Sequence, residues 1–516
     1  MNVSFADLWR CYRACRHSKC NTLNALAFEI DAEANLLELQ RELREHTYQP
    51  GQSICFVTDG PKPREVFAAD FRDRIVHHVL VERQARVFEP AFIHDSYACR
   101  VGKGTLAASD RLMALQRRVT CNGRRAAWAL QLDVASFFGS IDKRILHDII
   151  CARIRDPDVQ WLTAVVLFHD PTCDYRFRAG SRRSPGPGQP GYPVPARKSL
   201  FGKDNRCGLP IGNLTSQFWA NVYLDQLDQF VKRRLRCCDY LRYVDDMVLL
   251  STDRDQLCRW RDAIAPFLGE RLALHLRPGV AEPRPVGRGV DFVGWRTWPT
   301  HRLARRRTLA SAAARLARFE HQSVRRAFAG RAWRVELSAA RLRPRLGVRR
   351  IARPGVLRLP DLAAALASYG GHLRHGAAWR DWQQCLGRHD WAAALLRVDG
   401  WRVRPRWAPL GLLQPRSRRT YAAIARAAGH STLVFTRVGR YVEFFGPQRL
   451  LAQHALRLRP VGIRRFGYGL SAGFPTGCEA RMVERALRRG HTVLRLAQRD
   501  SVTLIGPSPS VGRALS

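Results

Sequence analysis

Apolar residues recur with helical spacing through residues 1 to 50, most regularly in "ANLLELQRELREHTY" at Leu36, Leu37, Leu39 and Leu43. Upstream, Leu8, Cys11, Tyr12 and Cys15 fall on one side of a basic amphipathic helix. "GPKPREVFAADFRDRIVHHVLVERQARVFEPAF" opens with a Pro-rich basic turn and continues as a helix bearing Val76, Val79 and Leu80. The period then changes: Trp128, Leu130 and Leu132 alternate with Ala129, Gln131 and Asp133, which predicts a strand with Asp133 at its end, on the face opposite the core. Two further strand-like runs, "YLRYV" and "MVLLS", flank Asp245 and Asp246 and predict a tight hairpin with those carboxylates at its tip. Between these blocks, residues 180 to 208 hold too many Gly and Pro for helix or strand and read as a long exposed loop. Residues 301 to 350 are Arg-dense and mostly helical in pattern, and 401 to 419 reads as a Pro/Arg linker. Beyond about residue 420 the pattern alternates short strands and helices: strand, Gly turn, strand and helix over 431 to 456, then strand, turn, amphipathic helix and strand over 466 to 498.

Charge narrows the class of partner. Across 516 residues, Lys+Arg 86 against Asp+Glu 44 leaves +42, a balance suited to neutralising phosphates along a polyanion, although GC-rich coding also favours Arg. With 46% hydrophobic residues the chain has ample material for cores in several domains. No apolar run approaches the roughly 18 residues of a membrane helix, "WLTAVVLF" being among the longest. The first residues lack an apolar signal core and carry Asp7, so a soluble, cytoplasmic protein is expected. The 14 Cys are scattered and read as reduced thiols. Cys11, Cys15, His17 and Cys20 lie close together, but their spacing is not a zinc pattern and the helix-face reading is preferred.

The carboxylates carry the chemistry. Asp245 and Asp246 repel unless a hard cation lies between them, and Asp133 supplies a third carboxylate at a strand end. Two such strand ends, side by side in one sheet, would hold two Mg²⁺ ions about 3.5 to 4 Å apart, as nucleotidyl transfer requires. Asp142 instead stands, with Ser140, where the "KRILHDII" helix should start, and reads as a helix cap.

These blocks, in this order, resemble a reverse transcriptase over about residues 1 to 385. "KPREVFAADFRDRIVHHVL" and "HDSYACRVGKGT" are similar to the finger blocks, "LQLDVASFFGSID" and "RYVDDMVLL" to the two metal motifs, and "GLPIGNLTSQFWANVYLDQLD" to the template and nucleotide turn. "GVDFVGWRTW" is similar to the primer-grip hairpin and "LASYGGHLRHG" to the thumb of bacterial retroelement enzymes. The resemblance implies an α+β fold, a right-hand polymerase with an N-terminal helical region at 1–60, fingers and palm at 61–300, a helical thumb at 301–385 and a linker at 386–425. It implies two Mg²⁺ ions, with Mn²⁺ as an alternative, held by Asp133, Val134, Asp245 and Asp246. Arg72, Arg74, Phe138, Ile211, Gly212 and Gln217 would face the dNTP, Phe138 as the ring that leaves no room for a 2′-hydroxyl. Lys62, Arg64, Tyr243, Gly294 and Trp295 would face template RNA or the cDNA primer-template. One departure stands out: the family's Lys after its "LxLxxxK" segment is missing from "LALHLRPGVAEPRP", where Arg277 or Arg284 supplies charge but is a poor proton donor.

Residues 426–516 form a small α/β domain that resembles the mismatch-recognition domain of the mismatch-repair protein MutS, with "GRYVEFFG" similar to its G-x-F-Y-E-x-F-G turn. On that match Tyr441 replaces the aromatic wedge and Glu443 its hydrogen-bonding neighbour; a merely half-buried strand Tyr is the competing reading. No P-loop accompanies it, so binding rather than mismatch repair is expected. Within the turn, I-G-x-x-x-S-Q at Ile211 to Gln217 resembles the reverse transcriptases of diversity-generating retroelements, which copy a template RNA with errors at adenines and often use an accessory protein. Ile211 can only pack where a Gln would hydrogen-bond, a loss of about 1 kcal/mol of geometric constraint. A related reverse transcriptase of phage defence and a non-catalytic nucleic-acid scaffold remain as alternatives.

Overall fold

Residues Leu36, Leu39 and Leu43 form a fully buried stripe on the helix Ala32–Glu45, while Leu37 is 54% exposed beside it. Leu8, Cys11, Tyr12 and Cys15 are buried together on the helix Phe5–Lys19, which accounts for the cysteine spacing as packing; Cys20 lies outside the described residues. Both helices pack with Val76, Val79 and Leu80 of the helix Phe71–Phe88 in one core. The computed structural model describes residues 1–19, 22–58, 63–178, 187, 189–279, 281–338, 358–406, 418–462, 468–496 and 501–508. It divides into two units, Met1–Arg302 and Leu303–Ser516. Among the described residues no helix is long and apolar enough to cross a membrane.

Among its described residues the first unit contains nine short strands: β1 (Ser53–Val57), β2 (Glu65–Ala68), β3 (Trp128–Asp133), β4 (Tyr175–Phe177), β5 (Tyr240–Tyr243), β6 (Asp246–Ser251), β7 (Arg284–Pro285), β8 (Val290–Phe292) and β9 (Trp295–Thr297). Four of them make an antiparallel sheet in the order β5-β6-β3-β7. Strand alternation decides what each face meets. Leu130, Leu132, Met247 and Leu249 join the large helical core, and Ala129, Leu241, Val248 and Leu250 pack on the other side with Leu112 and Leu115 of the helix Thr105–Val119. With both faces covered, the polar end of β3 and β6 is the part of the sheet left open. A second sheet has the order β2-β1-β4.

The second unit joins helices Arg306–Ser323 and Leu359–Leu373 to an eight-stranded sheet. The helical pattern expected over 301–350 ends at Ser323; Val324–Ala327 and Ala332–Ser338 form a hairpin instead. Trp333 and Val335, both buried, alternate with Arg334 and Glu336, a strand period that Arg density conceals. Residues 339–357 lie outside the described residues. Within the span assigned to a linker, Leu396–Asp399 and Arg402–Pro405 pair as a hairpin, and Leu396 and Val403 are buried with Trp382 and Trp391. Downstream, Thr432–Val438, Tyr441–Phe445, Gly446–Leu456, Ser471–Pro475, Glu479–Arg488 and Thr492–Leu496 form strands and helices in the order the sequence predicts. The strand Thr432–Val438 runs antiparallel to Tyr441–Phe445 and parallel to Thr492–Leu496.

Candidate active site

Tyr243 pairs with Asp246 across β5 and β6, so Val244 and Asp245 alone make the turn. Asp246 in turn pairs with Asp133 of β3, which brings the three carboxylates to one end of the sheet. The turn is tight enough to force Val244 to φ 55, a left-handed conformation that a β-branched residue resists. Its carbonyl accepts a 2.9 Å bond from Arg242 Nη1. Arg242 is fully buried and doubly bonded to Asp228, through Nε to Oδ1 at 2.8 Å and Nη2 to Oδ2 at 2.6 Å. Tyr240 Oη also donates to Asp228, at 2.7 Å. The backbone of Arg242 is held as well: its N–H donates to Asp95 O at 2.9 Å, and its carbonyl accepts from Tyr97 at 3.0 Å. The "HDSYACR" block therefore braces the carboxylate hairpin, a role that its sequence did not reveal.

Burial, with the negative charge of Asp133 beside it, pushes the Asp245 carboxyl up to about 6. Asp133 carries a different partner. Its Oδ2 is ion-paired with Arg277 Nη2, and its carbonyl accepts a 2.8 Å bond from the Arg277 N–H. Val134 is buried and bridges Leu276, so β3 continues into a short pairing with the "HLR" segment. Among the described residues no three His, Cys, Asp or Glu side chains converge as a ready-made metal-binding group. Asp142 caps the helix Lys143–Arg153, accepting from Arg144 N at 2.8 Å and Ile145 N at 3.2 Å, as its position predicts.

"GLPIGN" is tied at both ends. Gly208 N–H donates to Ile141 O at 2.8 Å and Leu209 N–H to Phe138 O at 2.7 Å, while Ile211 O accepts from Phe67 N–H of β2 at 2.9 Å. Asn213 Oδ1 accepts from Ala69 N–H at 3.2 Å. Gly212 sits between these anchors at φ 121, where a Cβ would lie 2.7 Å from Val66 Cγ1 and 3.2 Å from Phe67 O. Only a glycine meets both demands. Ile211 is half-buried and Gln217 exposed. Phe137 is buried and Phe138 half-buried, their rings 5.4 Å apart. Lys203 Nζ donates to Gly139 O at 2.8 Å, beneath the Phe138 turn. The loop expected to be exposed over 180 to 208 is anchored in its described part by buried Glu65, which accepts from Tyr192 Oη at 2.9 Å, from Leu200 N–H at 2.9 Å and from Ser199 Oγ.

The remaining candidates divide by exposure. Arg72 is engaged by Glu42, by Gln49 O at 3.3 Å and by the Tyr48 ring at 5.1 Å, and Arg74 Nε donates to Ala69 O at 2.9 Å. Arg64 is exposed on the approach to β2, and Lys62 lies outside the described residues. Tyr243 is half-buried. Val293 and Gly294 turn the β8–β9 hairpin with φ 43 and φ 96. This places Trp295 opposite Phe292, both 1% exposed, so Trp295 is a core residue and its expected contact with nucleic acid is replaced by packing under Arg302 at 5.2 Å. In the second unit Tyr441 is 52% exposed at a hairpin tip next to exposed Arg440, whereas Glu443 is buried between Thr436 and Gly473.

Residues 60–277 match the family of reverse transcriptases (RNA-dependent DNA polymerases). The chain thus carries a reverse transcriptase domain, which spans Asp133, Asp245, Asp246 and the "GLPIGN" turn. It is 23% identical over 222 residues to an uncharacterized 91 kDa protein in the cob intron of Schizosaccharomyces pombe, covering 43% of this chain and 23% of that protein. It is 22% identical over 320 residues to protein YkfC of Escherichia coli, covering 55% and 75%. Among solved structures it is similar to apo telomerase from Candida tropicalis truncated from its C-terminal domain, with TM-score 0.35 and 9% identity over 53% of this chain and 60% of that one. Telomerase from Candida albicans in complex with a telomeric RNA fragment gives TM-score 0.32 and 9% identity over 66% and 55%. The chain thus spans under a quarter of the fission-yeast protein and less than two thirds of these telomerase chains.

Proposed function

We propose that this chain is an RNA-directed DNA polymerase that copies a template RNA into cDNA with reduced fidelity at adenines, as in a diversity-generating retroelement. The observation that carries the polymerase reading is the pairing of Asp133 with Asp246 across β3 and β6, with Asp245 on the turn beside them. The donor set fits Mg²⁺: every side-chain donor is an oxygen, and a cation between Asp245 and Asp133 would offset both the burial and the repulsion that raise Asp245. Asp133, Asp245 and Asp246, with the Val134 carbonyl, would hold two ions. Bound there, the ions would lower the pKa of the primer 3′-hydroxyl and neutralise charge on the departing pyrophosphate.

The chain's own residues then choose the substrate. The half-buried Phe138 ring, resting on Phe137, excludes a 2′-hydroxyl and so selects dNTPs. Ile211 is held in its turn through its backbone carbonyl, and its side chain adds no hydrogen bond that would tighten base selection. The exposed Tyr441, next to exposed Arg440 at the hairpin tip, supports stacking on a nucleic-acid base by the C-terminal domain, worth about 1 to 3 kcal/mol per base. Buried Glu443 is less suited to direct contact. An accessory protein of the retroelement completes this reading.

Primer extension on RNA, with sequencing of the products, tests both parts. Asp245→Ala is expected to lower extension at least about a hundredfold, and wild-type products are expected to carry errors opposite template adenines. Undiminished extension by the variant would remove the metal assignment. Accurate copying at adenines would leave a faithful reverse transcriptase, such as one of phage defence.

A further inference from the structure

The "LALHLRPG" segment lacks the lysine its resemblance leads one to expect, yet it delivers a cation to the carboxylates by another route. Three backbone ties fix its position: Ala135 N–H donates to His275 O at 2.9 Å, Val134 bridges Leu276, and Arg277 N–H donates to Asp133 O at 2.8 Å. From that fixed base extends the Arg277 side chain, 64% exposed, with its guanidinium on Asp133 Oδ2. The base is tied to β3 through its backbone, and the arm is solvent-exposed, held to Asp133 by the ion pair.

We propose that Arg277 is a built-in counter-ion, occupying the cation position at Asp133 until metal and nucleotide arrive and then turning its guanidinium to the triphosphate. The proposal rests on the reading of Asp133 as a metal carboxylate. One carboxylate oxygen cannot serve a guanidinium and a divalent ion at full strength, so each displaces the other. A guanidinium does not leave by losing its proton, because it stays charged at any working pH. It leaves intact, and a phosphate chain gives it a bidentate partner as good as the one it gave up. Free divalent metal must therefore compete with Arg277, whereas metal arriving with a nucleotide does not. By reciprocity, the nucleotide binds more tightly once metal has released the arginine.

This assignment differs from a merely structural role in the sign of one effect. Loss of a structural tie would weaken metal binding; loss of a competing counter-ion strengthens it. Mn²⁺ binding to the full chain, followed by electron paramagnetic resonance of the free ion without nucleotide, reads that sign directly. Arg277→Gln is expected to bind Mn²⁺ about tenfold more tightly than wild type while the KM for dNTP in primer extension rises several-fold. Asp133→Asn serves as the reference and should lose the Mn²⁺ site. If Asp133→Asn loses it and Arg277→Gln binds Mn²⁺ no more tightly than wild type, the counter-ion role is wrong and the metal reading stands. If Asp133→Asn binds Mn²⁺ as wild type does, the metal assignment itself fails and the proposal goes with it. Thermal melts of both variants establish that they are folded.

Discussion

Val244 holds an unfavourable backbone conformation at the tip of the carboxylate hairpin, and Arg242 is the residue that makes this tolerable. Its guanidinium satisfies the Val244 carbonyl while its charge is met inside the core by Asp228. Burying an ion pair contributes little net stability, but removing one member leaves the other buried without compensation. Arg242→Met is therefore expected to destabilise the first unit by about 3 kcal/mol or more. Urea unfolding checks this, and an unchanged midpoint would show that Asp228 finds another partner. The hairpin was legible from two apolar strand-like runs around Asp245 and Asp246, and the alternation ending at Asp133 supplied the third carboxylate. Arg242 and Asp228 were not legible, since a lone Arg and a lone Asp separated by thirteen residues give no local signal of their pairing. Arg277 was legible as a charge near the site, but its contact with Asp133 depends on how β3 continues past its last residue. Trp295 is buried for a reason the sequence does not display: a two-residue turn, not hydrophobicity, decides which face of the β8–β9 hairpin it occupies.

At the level of elements, the turn over residues 208–213 works as a strap between the Phe138 turn and β2. Its weakest tolerance is at Gly212, where positive φ and close approach coincide. Gly212→Ala is expected to cost about 1 to 3 kcal/mol and to raise the KM for dNTP, because β2 or the Ile211–Phe67 bond must give way. Gly123, at φ 87 with nothing within 4 Å of the place a Cβ would take, supplies the comparison. Gly123→Ala carries the backbone strain without the collision. Equal effects of the two substitutions on the KM would show that contact with β2 is irrelevant. The sequence pattern located this turn from its Gly and Pro. It did not show the tie to β2, because hydrogen bonds from backbone to backbone leave no mark on residue identity. The hairpin at Val324–Ser338 is hidden in a similar way, its alternation masked by arginines on the outward positions.

For the whole molecule the dominant quantity is the +42 charge. Binding to an RNA–DNA hybrid, measured by fluorescence anisotropy, is expected to weaken steeply with salt, each neutralised phosphate adding about 0.7 to 0.9 to the log–log slope. A flat curve would mean that the arginines are solvated rather than engaged. Charge was the easiest property to read from the sequence, and the order of elements in the C-terminal region was read almost as well. Less legible was the unity of Leu303–Ser516, since the strand Ala332–Ser338 pairs with Ser501–Pro507 across more than 160 residues of chain. The strap beneath Phe138 carries a last consequence. Since one end is bonded to the carbonyl of Phe138 and the other to β2, the proposed sugar selection at Phe138 and the position of β2 share a mechanical linkage. Variants that loosen base choice by shifting β2 should therefore drift in sugar choice as well, and evolution could not adjust either without retuning the other.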